Sequence, residues 1–325
     1  MRRYAFALLG LSLVTASCKK QTVDKPAVCL AEVASGQAKE VTAGEVPFDI
    51  WFQIMLANFN RETMQVKRPV RDCSGREVEV PKLDEQSAAC LAGKEPAKVL
   101  PERPLVEEDL LITPIDDKQL LVWIKVKHFD SGESEGPIGI ADFTKSGVAV
   151  RAIGTLRAHA DKAAMHLEPL GSERVLVVES RRCDPKDPKK CDRLTRLVPL
   201  IKNAFLEKPL LDQKGACLGP PIFEMYRELT VTLDTGMSRK FEMARSIDYT
   251  DGNVVVSEQI VIKDTDPRQP DEPPKTFRQA NVDRELSVLD NGIKTAEGLW
   301  ERMVAEHGSV VYRAPPKKEE APPNP

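Results

Sequence analysis

Six cysteines downstream of a short apolar leader restrict this chain more than any other feature of its sequence. Met1-Arg2-Arg3-Tyr4 carries two positive charges, and residues 5–14 form an apolar run interrupted only by Gly10 and Ser12. A helix needs roughly 20 apolar residues to cross about 30 Å of hydrocarbon, so this run reads as a signal peptide and not as an anchor. Export carries Cys29, Cys73, Cys90, Cys183, Cys191 and Cys217 into an oxidising compartment, where they pair as disulfides. One pairing is readable. Cys183 and Cys191 bracket the polar Asp184-Pro185-Lys186-Asp187-Pro188-Lys189-Lys190, with strand-like Val175-Leu176-Val177-Val178 before it and Leu194-Thr195-Arg196-Leu197-Val198 after. Opposed residues of an antiparallel hairpin lie about 4.5–5.5 Å apart at Cα, which suits a disulfide. Closing so short a loop adds about 2–3 kcal/mol on chain-entropy grounds. A metal site there would need Cys-x-x-Cys spacing or a nearby histidine and has neither. The same local logic expects Cys73 to pair with Cys90, leaving Cys29 for Cys217.

Two cleavage sites compete. Val14-Thr15-Ala16 suits an ordinary small-residue cut that frees a soluble chain beginning at Ser17. Thr15-Ala16-Ser17-Cys18 resembles the lipobox of bacterial lipoprotein precursors, in which small residues precede a cysteine that is lipidated before the cut. It departs from that family at Thr15, where an aliphatic residue is usual. The cysteine count favours the lipobox, because lipidation of Cys18 leaves an even number to pair. The resemblance covers about the first twenty residues. It implies a signal peptide over 1–17, acyl chains such as palmitate on Cys18, and a lipid-anchored tether over 18–43. Several acyl chains hold a protein firmly where one binds only marginally. Lys19 and Lys20 either touch anionic headgroups or are simply solvated. The residue after Cys18 is not Asp, so the inner-membrane retention signal is missing, which favours the outer membrane in a Gram-negative cell.

Loss of residues 1–17 takes 47 basic residues to 45 against 50 acidic ones, a net charge of −5. That balance offers no basic footprint for nucleic acid. No later apolar run approaches membrane-spanning length, so the lipid is the expected membrane device.

Residues 44–313 read as one mostly-β globular region. Residues 47–59 satisfy two patterns: Phe48, Ile50, Phe52, Ile54 and Leu56 alternate as on a strand, while Phe48, Trp51, Met55 and Phe59 recur as on a helix. Pro47 in a first turn, with Thr42 and Glu45 upstream, favours the helix. Residues 64–80 read as extended with a turn at Ser74-Gly75, and 94–104 as a proline- and charge-rich link. Strands are expected at 229–232, 254–256 and 260–262, with a turn at Asp251-Gly252-Asn253. Residues 264–276 read as a proline-rich loop. Residues 294–307 form a second expected helix, capped by Thr295, with Leu299, Trp300, Met303 and Val304 on one face and Gly308 at its end. Residues 314–325 read as a disordered, proline-rich tail.

The middle of the chain carries an internal echo. Ile112-Thr113-Pro114-Ile115 precedes Leu120-Leu121-Val122 by the same gap that separates Leu167-Glu168-Pro169-Leu170 from Val175-Leu176-Val177. At the same offset of about 55 residues, Val150 and Leu156 fall on Phe205 and Leu211. The pattern predicts two copies of an antiparallel unit, 112–156 and 167–211, that stack or pair as propeller-like blades; a β-sandwich is the alternative.

Catalytic patterns are missing from the sequence. No Gly-x-Ser-x-Gly elbow, phosphate loop or dinucleotide fingerprint occurs. His159 and His166 would share a face if their stretch were helical, with Asp161 and Glu168 as nearest carboxylates. His128-Phe129-Asp130-Ser131 brings His, Asp and Ser together in sequence, whereas triads assemble through folding. Asp248, Asp251, Asp264 and Asp266 lack calcium-loop spacing. No catalytic residue, cofactor or metal is therefore expected. The expected function is that of a membrane-anchored, non-catalytic envelope lipoprotein that binds a protein partner or supports an assembly. The alternatives are a hydrolase or metal-dependent enzyme whose site unites distant residues, or a small-ligand-binding lipoprotein with an apolar pocket.

Overall fold

The computed structural model describes residues 28–32, 46–78, 90, 97–144, 147–184, 186–250 and 252–308. The expected signal peptide, Cys18, most of the tether, Asp251 and the 314–325 tail lie outside the described residues.

In chain order the elements are β1 (Cys29–Glu32), α1 (Phe48–Met55), β2 (Phe59–Asn60), β3 (Gln65–Val66), β4 (Leu110–Pro114), β5 (Gln119–Ile124), β6 (Lys127–His128), β7 (Glu133–Thr144), β8 (Gly147–His159), β9 (Ala164–Leu170) and β10 (Glu173–Asp184). They continue with β11 (Asp187–Ile201), β12 (Ala204–Phe205), β13 (Leu210–Leu211), β14 (Cys217–Gly219), β15 (Ile222–Glu224), β16 (Tyr226–Thr232), β17 (Ser238–Asp248), β18 (Val254–Thr265), β19 (Lys275–Leu289), β20 (Gly292–Lys294) and α2 (Leu299–His307). The chain is mostly β, as its sequence predicts.

Two large sheets hold all of these strands but β2 and β3, which pair with each other. The first follows the path β4-β5-β7-β8-β12-β11-β10-β9, with β1, β6 and β15 pairing to β8, β7 and β11 off that path. Its first and last strands, β4 and β9, lie against each other, so the sheet nearly closes into a barrel. The second sheet runs β14-β13-β20-β19-β18-β17-β16.

Residue patterns explain which strands go where. Leu120, Leu121, Val122, Trp123 and Ile124 of β5 are all buried, because that strand is covered on both faces. Leu121 and Trp123 join the barrel interior with Ile138, Leu156, Leu176, Val178 and Phe205. Leu120, Val122 and Ile124 face outward against Trp51, Phe52 and Met55 of α1. β10 repeats the arrangement, with Val175 and Val177 turned outward onto Val254, Val256 and Ile293 of the second sheet. Each such side chain contributes about 1.5–3 kcal/mol on burial. β17 and β18 are buried on one face only and alternate accordingly. Phe241, Met243, Ile260 and Ile262 pack under Leu299, Trp300 and Met303 of α2. Gly154 is required at the barrel seam, where a Cβ would overlap the Phe205 carbonyl of the parallel strand β12.

The helix over 47–59 is confirmed and shorter than its pattern: Ile50 and Trp51 donate to the Pro47 carbonyl, and Leu56 is already extended. The second helix starts later than expected. Thr295 is not its cap; its side chain is buried and its hydroxyl has no partner. The Leu299 amide instead donates to Glu258 Oε2 at 2.7 Å, a partner too distant in sequence for a capping rule to reach.

Three disulfides form, as expected of an exported chain in an oxidising compartment. Cys183 pairs with Cys191 directly across the β10–β11 hairpin. The other two expectations are corrected. Cys29 bonds Cys73 and Cys90 bonds Cys217. The turn holding Cys73 folds beside β1, because both pack against the core around α1. Cys90 sits instead against β14, with its Sγ 3.8 Å from the Gly219 carbonyl.

The repeat is corrected as well. Residues 112–156 and 167–211 do not form separate blades. They are the two halves of one sheet, β4-β5-β7-β8 and β9-β10-β11-β12. β8 runs parallel to β12, so the two meanders proceed around the barrel in opposite directions. Leu121 and Leu176, one repeat offset apart, both face its interior. No rotation superposes strand order and inner face together, so the echo reflects two strands buried on both faces rather than one duplicated unit.

The strand directions also define two ends. β8 starts at the β7–β8 turn, and its parallel partner β12 is antiparallel to β11. The β10–β11 hairpin with its disulfide therefore lies at the end opposite the β7–β8 turn. β1 pairs with Gly147–Val150 at the β7–β8 end. β16 begins at the other, where the Met225 amide donates to the Arg193 carbonyl.

Candidate functional site

The chemistry-bearing side chains are dispersed and largely matched. His128 does not meet Asp130 and Ser131 in a triad. Its Nδ1 lies 3.0 Å from Ser134 Oγ and its Nε2 lies 3.3 Å from Asp109 Oδ1. Ser134 is only 2% exposed, so no substrate reaches its hydroxyl. Asp109 takes two 2.7 Å bonds from Arg103 and one from the Val106 amide. Burial raises its pKa, but His128, Arg103 and that amide outweigh burial and hold it at about 2. The group is a clasp: it fastens residues 103–109 onto the barrel beside the Leu100 amide, which donates to the His128 carbonyl.

His159 and His166 lie on strands and face different neighbours. Burial depresses the His159 pKa against the attraction of Glu133, with Arg182, Arg196 and Arg157 adding to the depression. Its Nε2 is buried without a partner. His166 packs edge-on against Tyr249, 5.8 Å between ring centres, with Glu168 3.6 Å away. Among the described residues no group of three His, Cys, Asp or Glu side chains is placed to hold a metal ion. Asp248 is bonded by Thr250, Asp264 by Arg239 and Asp266 by Arg268.

The second sheet offers a different kind of site. Its inner face has two halves. Val254, Val256 and Leu286 rest on the barrel, and Phe241, Met243, Ile260 and Ile262 rest on α2 alone. Between them lies Glu258, 1% exposed. It accepts from Arg245 Nε at 2.9 Å, from Arg284 Nη2 and from the first amide of α2. Burial opposes its charge, but Arg245, the Leu299 amide and Arg284 outweigh that and hold its pKa below the ordinary carboxylate value. One carboxylate thus ties β17, β18, β19 and α2 together.

This outer half ends in open strand edges. β16 terminates the sheet, and β20 covers β19 only at Ser287–Leu289. The Arg245 amide donates to the Met225 carbonyl and the Leu233 amide to the Met237 carbonyl, so odd-numbered residues of β16 bond β17. The backbone groups of Tyr226, Glu228, Thr230 and Thr232 therefore face away from β17, with no strand paired to them among the described residues. Tyr226 and Leu229 are 49% and 37% exposed. On the open face Lys240 bridges Glu228 and Glu242, and Glu242 also meets Lys263, a solvated charge ladder. Neither the edge nor its hub was found from the sequence. Leu229-Thr230-Val231-Thr232 reads as a strand in the sequence, but an edge is a property of the whole sheet.

No helix among the described residues is long and apolar enough to cross a membrane. No family model, curated protein or solved structure matches the chain.

Proposed function

We propose that the protein is a non-catalytic envelope lipoprotein, held to the membrane through lipid on Cys18, that docks a protein partner by strand addition at β16. The carrying observation is the unpaired backbone edge at Tyr226, Glu228, Thr230 and Thr232, which accepts an extended segment in register. The lipobox-like Thr15-Ala16-Ser17-Cys18 and the even set of paired cysteines support the anchor. The geometry is coherent with both. The tether reaches the body at the β7–β8 end of the barrel, while β16 starts at the other end. In a Gram-negative cell the Cys18 context favours the outer membrane.

Two variants separate the two parts. Metabolic labelling with palmitate should mark wild type and leave Cys18→Ala unlabelled. Affinity capture from detergent-solubilised envelope should recover a stoichiometric partner with wild type and lose it with Thr230→Pro, which removes one outward N–H and leaves the β17 ladder intact. Unlabelled wild type would sink the anchor; a partner retained by Thr230→Pro would sink strand addition.

A further inference from the structure

The edge of β16 differs from one face of its sheet to the other. Leu229 lies directly opposite Phe241, and Val231 opposite Arg239, so the odd residues of β16 share the face that α2 covers. Phe241 is buried under α2, its ring 6.3 Å from that of Trp300. Leu229 stays 37% exposed at the rim of this layer, and Val231 and Val304 pack half-buried against it. The even residues Tyr226, Glu228, Thr230 and Thr232 carry polar groups on the other face. Two chains of ion pairs run to this edge. One passes along the open face through Lys263, Glu242, Lys240 and Glu228. The other runs from the barrel to α2 through Arg182, Glu224, Arg227 and Glu301. Among the described residues each chain ends beside β16 on an exposed carboxylate.

We infer that β16 selects an amphipathic strand of a partner protein, one with an apolar side chain opposite Leu229 and a lysine or arginine opposite Glu228. The inference rests on the strand addition proposed above and names the chemistry of the added segment. Odd residues of β16 direct their backbone bonds to β17. A residue added opposite Leu229 therefore makes a non-hydrogen-bonded pair, in which Cα atoms approach to about 4.5 Å and side chains lie closest. An apolar side chain there, and another opposite Val231, widens the buried layer under α2 by one strand. On the open face a cation opposite Glu228 continues the alternation of charge that begins at Lys263. A carboxylate in that place would meet Glu228 directly, and a polar side chain opposite Leu229 would lose water without gaining a partner. A second copy of β16 would bring Tyr226, Glu228, Thr230 and Thr232 to the open face, with no cation among them, so the occupant is a different protein.

The test titrates the full chain with three fluorescent peptides, read by anisotropy. The first is Lys-Val-Thr-Val-Lys-Val-Thr-Val-Lys, whose sequence reads alike from either end and so suits either strand direction. The second carries Glu in place of Lys, and the third Ser in place of Val. Hydrogen exchange at the Glu228 and Thr230 amides reports whether each peptide sits on the edge. Wild type should bind the first peptide about threefold more tightly than the Glu version and about tenfold more tightly than the Ser version. Glu228→Lys should reverse the first preference, Leu229→Ser should shrink the second, and Thr230→Pro should weaken binding of all three. Equal affinity for the three peptides, with those amides protected, would overturn the selection and leave strand addition standing. A preference for Lys over Glu that survives Glu228→Lys would overturn the role given to Glu228. Peptides that leave both amides unprotected would overturn strand addition itself, and the selection with it.

Discussion

The barrel and the outer half of the second sheet are made of similar strands, yet they are held together in opposite ways. The barrel buries apolar side chains on both faces of β5 and β10 and brings its end strands, β4 and β9, together. The outer half buries one face under a single helix and is cross-tied by a charged hub at Glu258; among the described residues no strand pairs with the outer edge of β16, and β19 is covered only at Ser287–Leu289. A sheet that nearly closes leaves little unpaired backbone to offer, whereas an open one must be blunted or used. Charged ladder residues such as Glu228 and Lys240 suit an edge that stays soluble alone while its backbone remains free.

The sharpest way to break the contrast is Glu258→Ala. It leaves the Arg245 and Arg284 side chains, 11% and 5% exposed, without their buried counter-charge. Urea unfolding should show a loss of about 3–5 kcal/mol, with hydrogen exchange rising first in β17, β18 and α2. A loss below about 1 kcal/mol would mean that Glu258 is not the organising group of this region.

Acid should separate the regions next. Asp109 has a folded-state pKa of about 2 against an ordinary 3.8, so its contribution is complete above pH 4 and is lost as pH falls toward 2. Asp109→Asn should cost about 2 kcal/mol at neutral pH and flatten the stability profile in that window, as read by melts in a pH series. Glu258, also depressed, loses its contribution as pH falls below its ordinary 4.5. Hydrogen exchange should therefore detect loosening of α2 under acid, and Glu258→Ala should remove that pH dependence.

A smaller effect is expected at the seam. Gly154→Ala forces a Cβ against the Phe205 carbonyl and should cost about 1–3 kcal/mol by overpacking, with β8 and β12 losing protection while α2 keeps its own. Uniform loosening of both regions would contradict their independence. Thr230→Pro should change stability least, by about 0.5 kcal/mol, because its amide does not bond β17. A much larger loss would place that amide inside the ladder.

Individual strands of the barrel were legible in sequence. Runs such as Leu120-Leu121-Val122 and Val175-Leu176-Val177 read as strands, and the loop between Cys183 and Cys191 as a hairpin, while their burial on both faces emerges only from the fold. Long-range closure was not legible. Nothing local relates Cys29 to Cys73 rather than Cys217, since that choice depends on β1 joining β8 beside the α1 core. The 55-residue echo misled because identical burial produces identical patterns whichever way a meander runs. At the candidate site Leu229-Thr230-Val231-Thr232 was readable as a strand. Its position at the end of a sheet, and the reach of Glu258 to Leu299, emerge only from the folded chain.

Hydrogen exchange resolved to single amides of β16 in the isolated protein tests the open edge most directly. The amides of Glu228 and Thr230 should exchange near the rate of an unstructured peptide, while those of Leu229 and Val231 should be strongly protected by β17. Equal protection at all four positions would mean that another segment already covers the edge, and strand addition by a partner would have no place to occur.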